Sequence, residues 1–299
     1  AKTTVTVNAS AVTILTGTAA AANTAYASGE ISGLGDEAIT LEDTSLAAAT
    51  LNTLDGNTTG SIDASTVSTL TGTASDVNTS YASNGITGLG DEAVTLSGTT
   101  LAASVLNTLD NNTTGAVNAA TILTLTGTAS VVTTSLTSSG ITNLGNEAVT
   151  ISDTTITASA LNTLDGHTTG TVNAATVTTI NGTAVDANTA YASNGISGLG
   201  DEIVVLTDSS VSASALNTLD GNTSGAINAF NVTTITGSAA DANTAYSSPG
   251  IAGLDSETVT ISDATLAANV LNTLDGHTTG TVNAAAVTTI TGAAATVIT

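Results

Sequence analysis

The chain has no Cys, Met or Trp, one Pro, one Phe and four Tyr, and a single residue among Lys and Arg against 24 Asp and Glu. Each shortage closes off a class of function. Without Cys there is no disulfide, no thiolate metal site and no thiol catalysis. With Lys2 as the only basic side chain, the cationic contacts that hold a phosphate backbone are missing, which excludes nucleic acid and anionic membranes as partners. Phosphate-cradling enzymes lose their usual basic group for the same reason. No long apolar run is present either. The uncharged stretch 111–146 is broken every few residues by Thr, Ser, Asn or Gly, so it does not read as a membrane span.

What remains is acidic and apolar together. The net charge is -23, yet 41% of residues are hydrophobic, only 8% are charged and mean hydropathy is +0.33, which separates the chain from disordered sequences of low hydrophobicity and high charge. Thr is abundant and favours strand over helix. The chain starts at Ala1 rather than Met and reads as processed, or as a piece of something longer.

A tandem repeat decides the organisation. Leu-Asn-Thr-Leu-Asp begins at Leu51, Leu106, Leu161, Leu216 and Leu271, a constant step of 55 that leaves five units and a 24-residue remainder. Within a unit an apolar residue recurs with partners at +5 and +8, as in Ile62-Val67-Leu70, Tyr81-Ile86-Leu89 and Leu101-Leu106-Leu109. This template predicts three coils per unit, with steps of 19, 20 and 16 residues, each too poor in apolar groups to fold without its neighbours. Val94-Thr95-Leu96 and Ile62-Asp63-Ala64 alternate as strands do. Residues 99–109 open with capping residues and place Leu101, Val105 and Leu109 on one helical face, and 73–82 pairs Val77 with Tyr81 in the same way. The expected fold is a mainly β solenoid with short helical corners, spanning 1–299 as one repeat array; an α/β solenoid is the alternative.

The repeat phrases, such as TVNAATVTTI at 171–180, TLAASVLNTLD at 100–110 and ASNGI at 82–86 and 192–196, resemble the tandem units of very large extracellular or cell-surface repeat proteins of marine bacteria, cyanobacteria especially. The resemblance covers the whole chain and implies secretion, a surface or matrix role and a longer parent. The calcium-binding nonapeptide of many secreted bacterial repeats is missing, so calcium does not follow from the resemblance.

Candidate chemistry recurs in columns. Asp55, Asp110, Asp165, Asp220 and Asp275 are each followed by Gly or Asn and read either as turn residues bonded to nearby amides or as calcium ligands. Asp91-Glu92 and Asp201-Glu202, like Asp36-Glu37, add oxygens if the coils bring them near Asp43, Asp153, Asp208 or Asp263. His167 and His277 occupy a turn position filled by Asn57, Asn112 and Asn222 elsewhere, and read as turn variants. Gly33-Leu34-Gly35 reads as a coil corner. Tyr26, Tyr81, Tyr191 and Tyr246 share a core column with Leu136 and are expected to send their hydroxyls to the edge, while Phe230 is expected to face outward. A catalytic site needs one unique constellation, and here every Ser and Asp recurs in series.

Three functions are therefore weighed. The first is a non-enzymatic structural protein of the cell surface or extracellular space, forming a filament, surface layer or adhesin stalk with itself as partner, because the chain begins and ends within a coil and shows no edge-blunting device. The second is a Thr-ladder module binding ice or a polysaccharide surface through 121–128 and 176–183. The third, a polysaccharide lyase or hydrolase, lacks the Arg, Lys and aromatic residues expected in its cleft.

Overall fold

A computed structural model of the chain describes residues 5–292; Lys2 and the two chain ends, on which the unfinished-coil reading rests, lie outside the described residues. The fold is an α/β repeat. Of the described residues 31% are helical and 28% are in strands, and all strand pairs are parallel. The mainly β expectation, with its three coils per unit, is thus corrected. Helices begin at Ala19, Ala48, Ala74, Ala103 and Ala129, so steps of 29 and 26 residues alternate and each 55-residue unit holds two turns.

The shared +5, +8 spacing hid three different local structures. Ile62 and Leu70 lie on strands Ile62–Asp63 and Thr69–Gly72; Tyr81 ends helix Ala74–Ala82 while Ile86 opens strand Ile86–Thr87; Leu101 belongs to strand Thr100–Ala102 while Leu106 and Leu109 belong to helix Ala103–Asn112. Thr was counted against helix because β-branching restricts its rotamers. In this chain at least one Thr per helix faces solvent and donates its hydroxyl to the carbonyl four residues back, as Thr79 does to Ser75 at 2.9 Å and Thr108 to Ser104 at 2.9 Å. Thr73, Thr128, Thr183 and Ser238 instead cap helices, accepting the amides of Asp76, Val131, Asp186 and Asp241. Small or aliphatic residues three apart on the inner face, such as Ala48, Leu51 and Leu54 or Ala74, Val77 and Ser80, seat these helices.

The chain forms two compact units, Ala1–Val149 with His167–Gly170, and Thr150–Gly166 with Thr171–Thr299. In the first, strands Ile14–Gly17, Ala38–Leu41, Ile62–Asp63 and Ile86–Thr87 make one ladder; Ser45–Ala47, Thr69–Gly72, Ala93–Leu96, Val117–Asn118 and Ile141–Thr142 make another. In the second, Thr155–Thr157, Thr179–Gly182, Ile203–Leu206, Ile227–Asn228 and Ile251–Ala252 repeat the plan. Paired residues are 24 or 23 positions apart, as in Ile14↔Ala38 and Ile39↔Ile62, fewer than the 29 or 26 between helices. The ladder consequently slides against the helices, and among the described residues each sheet ends after two to five strands. Core side chains come from both layers: Leu51, Leu54, Leu106 and Leu109 from helices, Ile39, Leu41, Ile62 and Leu70 from strands, all fully buried. Among the described residues no helix is long and apolar enough to cross a membrane.

Candidate functional site

The repeated polar columns converge on the spaces between turns. Helix Ala48–Asp55 ends on Asp55, whose carboxylate reaches forward to the next turn and accepts the Ser83 hydroxyl at 2.8 Å. Asp110, Asp165 and Asp220 accept Ser138, Ser193 and Ser248 at 2.6, 2.7 and 2.7 Å. The glycine two residues on, Gly85, Gly140, Gly195 or Gly250, lies so close to the same carboxylate that any Cβ there would collide with it. This column was read as a local turn or a calcium ligand; its geometry is a tie from one helix end to the loop after the following helix. Asp275 is exposed.

A second column turns inward. Glu37, Glu92, Glu147, Glu202 and Glu257 are buried, each at the entry to a strand. Glu92 Oε2 accepts the Gly90 amide at 2.9 Å and the Tyr81 hydroxyl at 2.9 Å; Glu37, Glu202 and Glu257 pair with Tyr26, Tyr191 and Tyr246 in the same way. The tyrosine hydroxyls thus point inward, onto buried carboxylates, and not to the edge. Where Leu136 replaces the tyrosine, Glu147 takes the amides of Gly145 and Asn146 at 2.7 and 3.2 Å. Burial works to raise the pKa of Glu37, but the amides of Gly35, Glu37 and Asp36 and the Tyr26 hydroxyl outweigh it and hold the carboxyl below its usual range. Burial, reinforced by Glu92, Glu202 and Glu257, pushes Tyr81, Tyr191 and Tyr246 well above the ordinary tyrosine value. Oε1 of Glu37, Glu92, Glu147 and Glu202 is buried without a hydrogen-bond partner. The next turn closes over each of these loops through Thr58, Thr113, Thr168, Thr223 and Thr278, which donate to the glutamate carbonyls at 2.7 to 3.0 Å.

Further ties complete the scheme. Asp43, Asp208 and Asp263 accept the first amide of helices starting at Ala19, Ala184 and Ala239, at 2.7, 2.8 and 2.8 Å; Gly98, with φ 104°, stands in that column in one repeat. Asn23, Asn52, Asn78, Asn107, Asn162, Asn188, Asn217 and Asn243 each donate from one helix to a carbonyl of the next. Asp63 accepts the Ser65 amide at 3.0 Å, and the side chain and amide of Ser65 hold its pKa below the usual range. Gly33 and Gly35 have φ of 86° and 149° at the corner between two strands.

The candidate calcium residues do not gather. Asp91 and Asp201 are exposed, Glu92 and Glu202 are buried beneath them, and Asp55, Asp110, Asp165 and Asp220 engage serines. Among the described residues no three His, Asp or Glu side chains stand where they would share a metal ion. His167 is exposed, and His277 stacks on Tyr246 with ring centroids 5.8 Å apart and planes 4° from parallel. Phe230 is 72% exposed. The inward glutamates and the Asn ladder were missed from the sequence. A signal for the former existed, since Glu never varies between copies although its neighbour does, at Asp36, Asp91, Asn146, Asp201 and Ser256.

No protein-family model matches the chain, and no curated protein matches its sequence.

Proposed function

We propose that the chain is a structural, non-enzymatic repeat protein of the cell surface or extracellular space, part of a filament, surface layer or adhesin stalk whose partner is another copy of itself. One observation carries this reading: among the described residues most recurrent carboxylates, hydroxyls and amides are engaged in ties between turns, in the same roles repeat after repeat, and no unique set faces a common cleft. A chain that uses its polar groups this way gains persistence of form from nearest-neighbour contacts. The resemblance to giant surface repeat proteins points the same way, and so does the acidic, Lys-poor composition, which offers trypsin almost nothing to cut.

The Thr-ladder reading is less well supported. Outward Thr16 and Thr40 pair in register, but the column continues through Asp63; Thr69 leads to Ala93, and Thr179 to Ile203. Such interruptions spoil a regular hydroxyl lattice. Sedimentation and electron microscopy of the full chain test the proposal. Concentration-dependent oligomers or filaments support it, and a monodisperse 28.7 kDa monomer at every concentration overturns it.

A further inference from the structure

Three Asn-Gly pairs occur in the chain, at Asn84, Asn181 and Asn194, and the fold gives them two different settings. Asn84-Gly85 and Asn194-Gly195 lie between a helix and a strand, outside both, with Asn84 and Asn194 exposed. Neither side-chain amide has a hydrogen-bond partner among the described residues. The Gly85 amide is not part of a strand ladder; it donates to the Ser83 hydroxyl at 2.9 Å, and Gly195 donates to Ser193 at 3.0 Å. Asn181-Gly182 is built otherwise. Both residues belong to strand Thr179–Gly182, and Asn181 is paired with Thr157 on one side and Val205 on the other.

We propose that Asn84 and Asn194 are sites of intramolecular deamidation and that Asn181 is protected. In the reaction the backbone nitrogen of Gly85 attacks Cγ of Asn84 and a C–N bond forms. The proton of that nitrogen passes to the side-chain amide, which leaves as ammonia and closes a five-membered succinimide. Water then opens the ring at either carbonyl, giving Asp or isoaspartate, so water is the only co-reactant. A glycine nucleophile is the least hindered, and Gly85 packs against the Asp55 carboxylate. A freely turning, exposed Asn side chain can bring Cγ to that nitrogen, whereas a residue held in a ladder on both sides reaches such geometry only when the strands open. Other repeats carry Ser139-Gly140 and Pro249-Gly250 here and have no amide to lose.

The product matters because of its place. Each event adds a carboxylate beside the Asp55–Ser83 or Asp165–Ser193 tie, and isoaspartate also lengthens the main chain where Gly85 or Gly195 packs on that tie. This chemistry stands independently of the structural role proposed above. The test incubates the native full chain in mildly alkaline buffer, with a denatured sample alongside, and maps the mass shift of amide-to-acid conversion by peptide mass spectrometry. Expected are conversion at Asn84 and Asn194 but not Asn181 in the native chain, conversion at all three in the denatured chain, and loss of the signal at position 84 in Asn84→Ser, which copies Ser139. Conversion of Asn181 alongside the others in the native chain overturns the proposal. So does an intact Asn84 and Asn194 over a period in which the denatured chain converts throughout.

Discussion

In the first unit Ser80 and Ser135 are buried on the helices where the second unit carries the equally buried Ala190 and Ala245. Ser80 donates to Asn52 Oδ1 at 2.6 Å and Ser135 to Asn107 Oδ1 at 2.5 Å. Asn162 and Asn217, the corresponding residues of the second unit, keep only the bond their amide nitrogen gives, to the Asp186 and Asp241 carbonyls at 2.9 and 3.0 Å. The comparison separates two kinds of tie. The side-chain bond to a neighbouring backbone carbonyl is present in both units, because a part-buried side-chain amide left without an acceptor is costly. The serine bond is optional, since alanine fills the same small space without a group that needs a partner.

Breaking a feature common to both units has the largest expected effect. Glu92→Ala strips the Gly90 amide and the Tyr81 hydroxyl of their acceptor and should cost about 3 kcal/mol in denaturant unfolding, with Glu202→Ala alike. Glu147→Ala, in the repeat where Leu136 stands for the tyrosine, orphans no tyrosine hydroxyl and should cost roughly 1 kcal/mol less. Equal losses in all three would show that the tyrosines contribute nothing.

Next is the clamp on Asp55 and Asp165. Gly85→Ala or Gly195→Ala drives a methyl into a carboxylate held by serine, and each should lose about 2 kcal/mol. Combining Gly85→Ala with Asp55→Ala should recover part of that loss, as coupled neighbours do. Additive losses would contradict the contact.

The serine comparison is then swapped directly. Ser80→Ala should destabilise by about 1 kcal/mol, while Ala190→Ser should be close to neutral or slightly stabilising by supplying a donor to Asn162. The reverse ranking would mean that the hydroxyl strains the first unit.

The smallest effects are those of pH. The Glu37 pKa is depressed in the fold, so its contribution is present above the unfolded carboxyl value and fades as pH falls through the folded one. The pKa values of Tyr81, Tyr191 and Tyr246 are raised. Their contribution is complete below the unfolded value, near 10, and is lost as pH climbs toward the folded one. Melting followed across alkaline pH should fall less steeply in Tyr81→Phe than in the parent; an identical slope would remove tyrosine ionisation from the account.

Much of this was legible from the residues. The 55-residue period, the inward Leu51, Leu106 and Leu161 columns and the strands at Ile62 and Val94 follow from spacing alone. The turn count did not, because one +5, +8 template is met by strand–strand, helix–strand and strand–helix segments alike, and periodicity in so short a window does not tell them apart. The role of the Asp55 column stayed hidden because Ser83, its partner, lies 28 residues away. Glu92 reads in the sequence as half of an acidic pair offering oxygens to calcium, since a sequence does not show which of two adjacent carboxylates turns inward.

The central claim is that these acidic columns hold turns to one another as they stand, with carboxylates bound to serines, tyrosines and amides. Thermal melting of the full chain, first with excess calcium and then with a chelator, tests it most directly. The account predicts one unchanged midpoint, because the Asp55 and Glu92 carboxylates already have their partners. A midpoint that climbs with calcium excess, as a ligand bound only by the folded state requires, would contradict it.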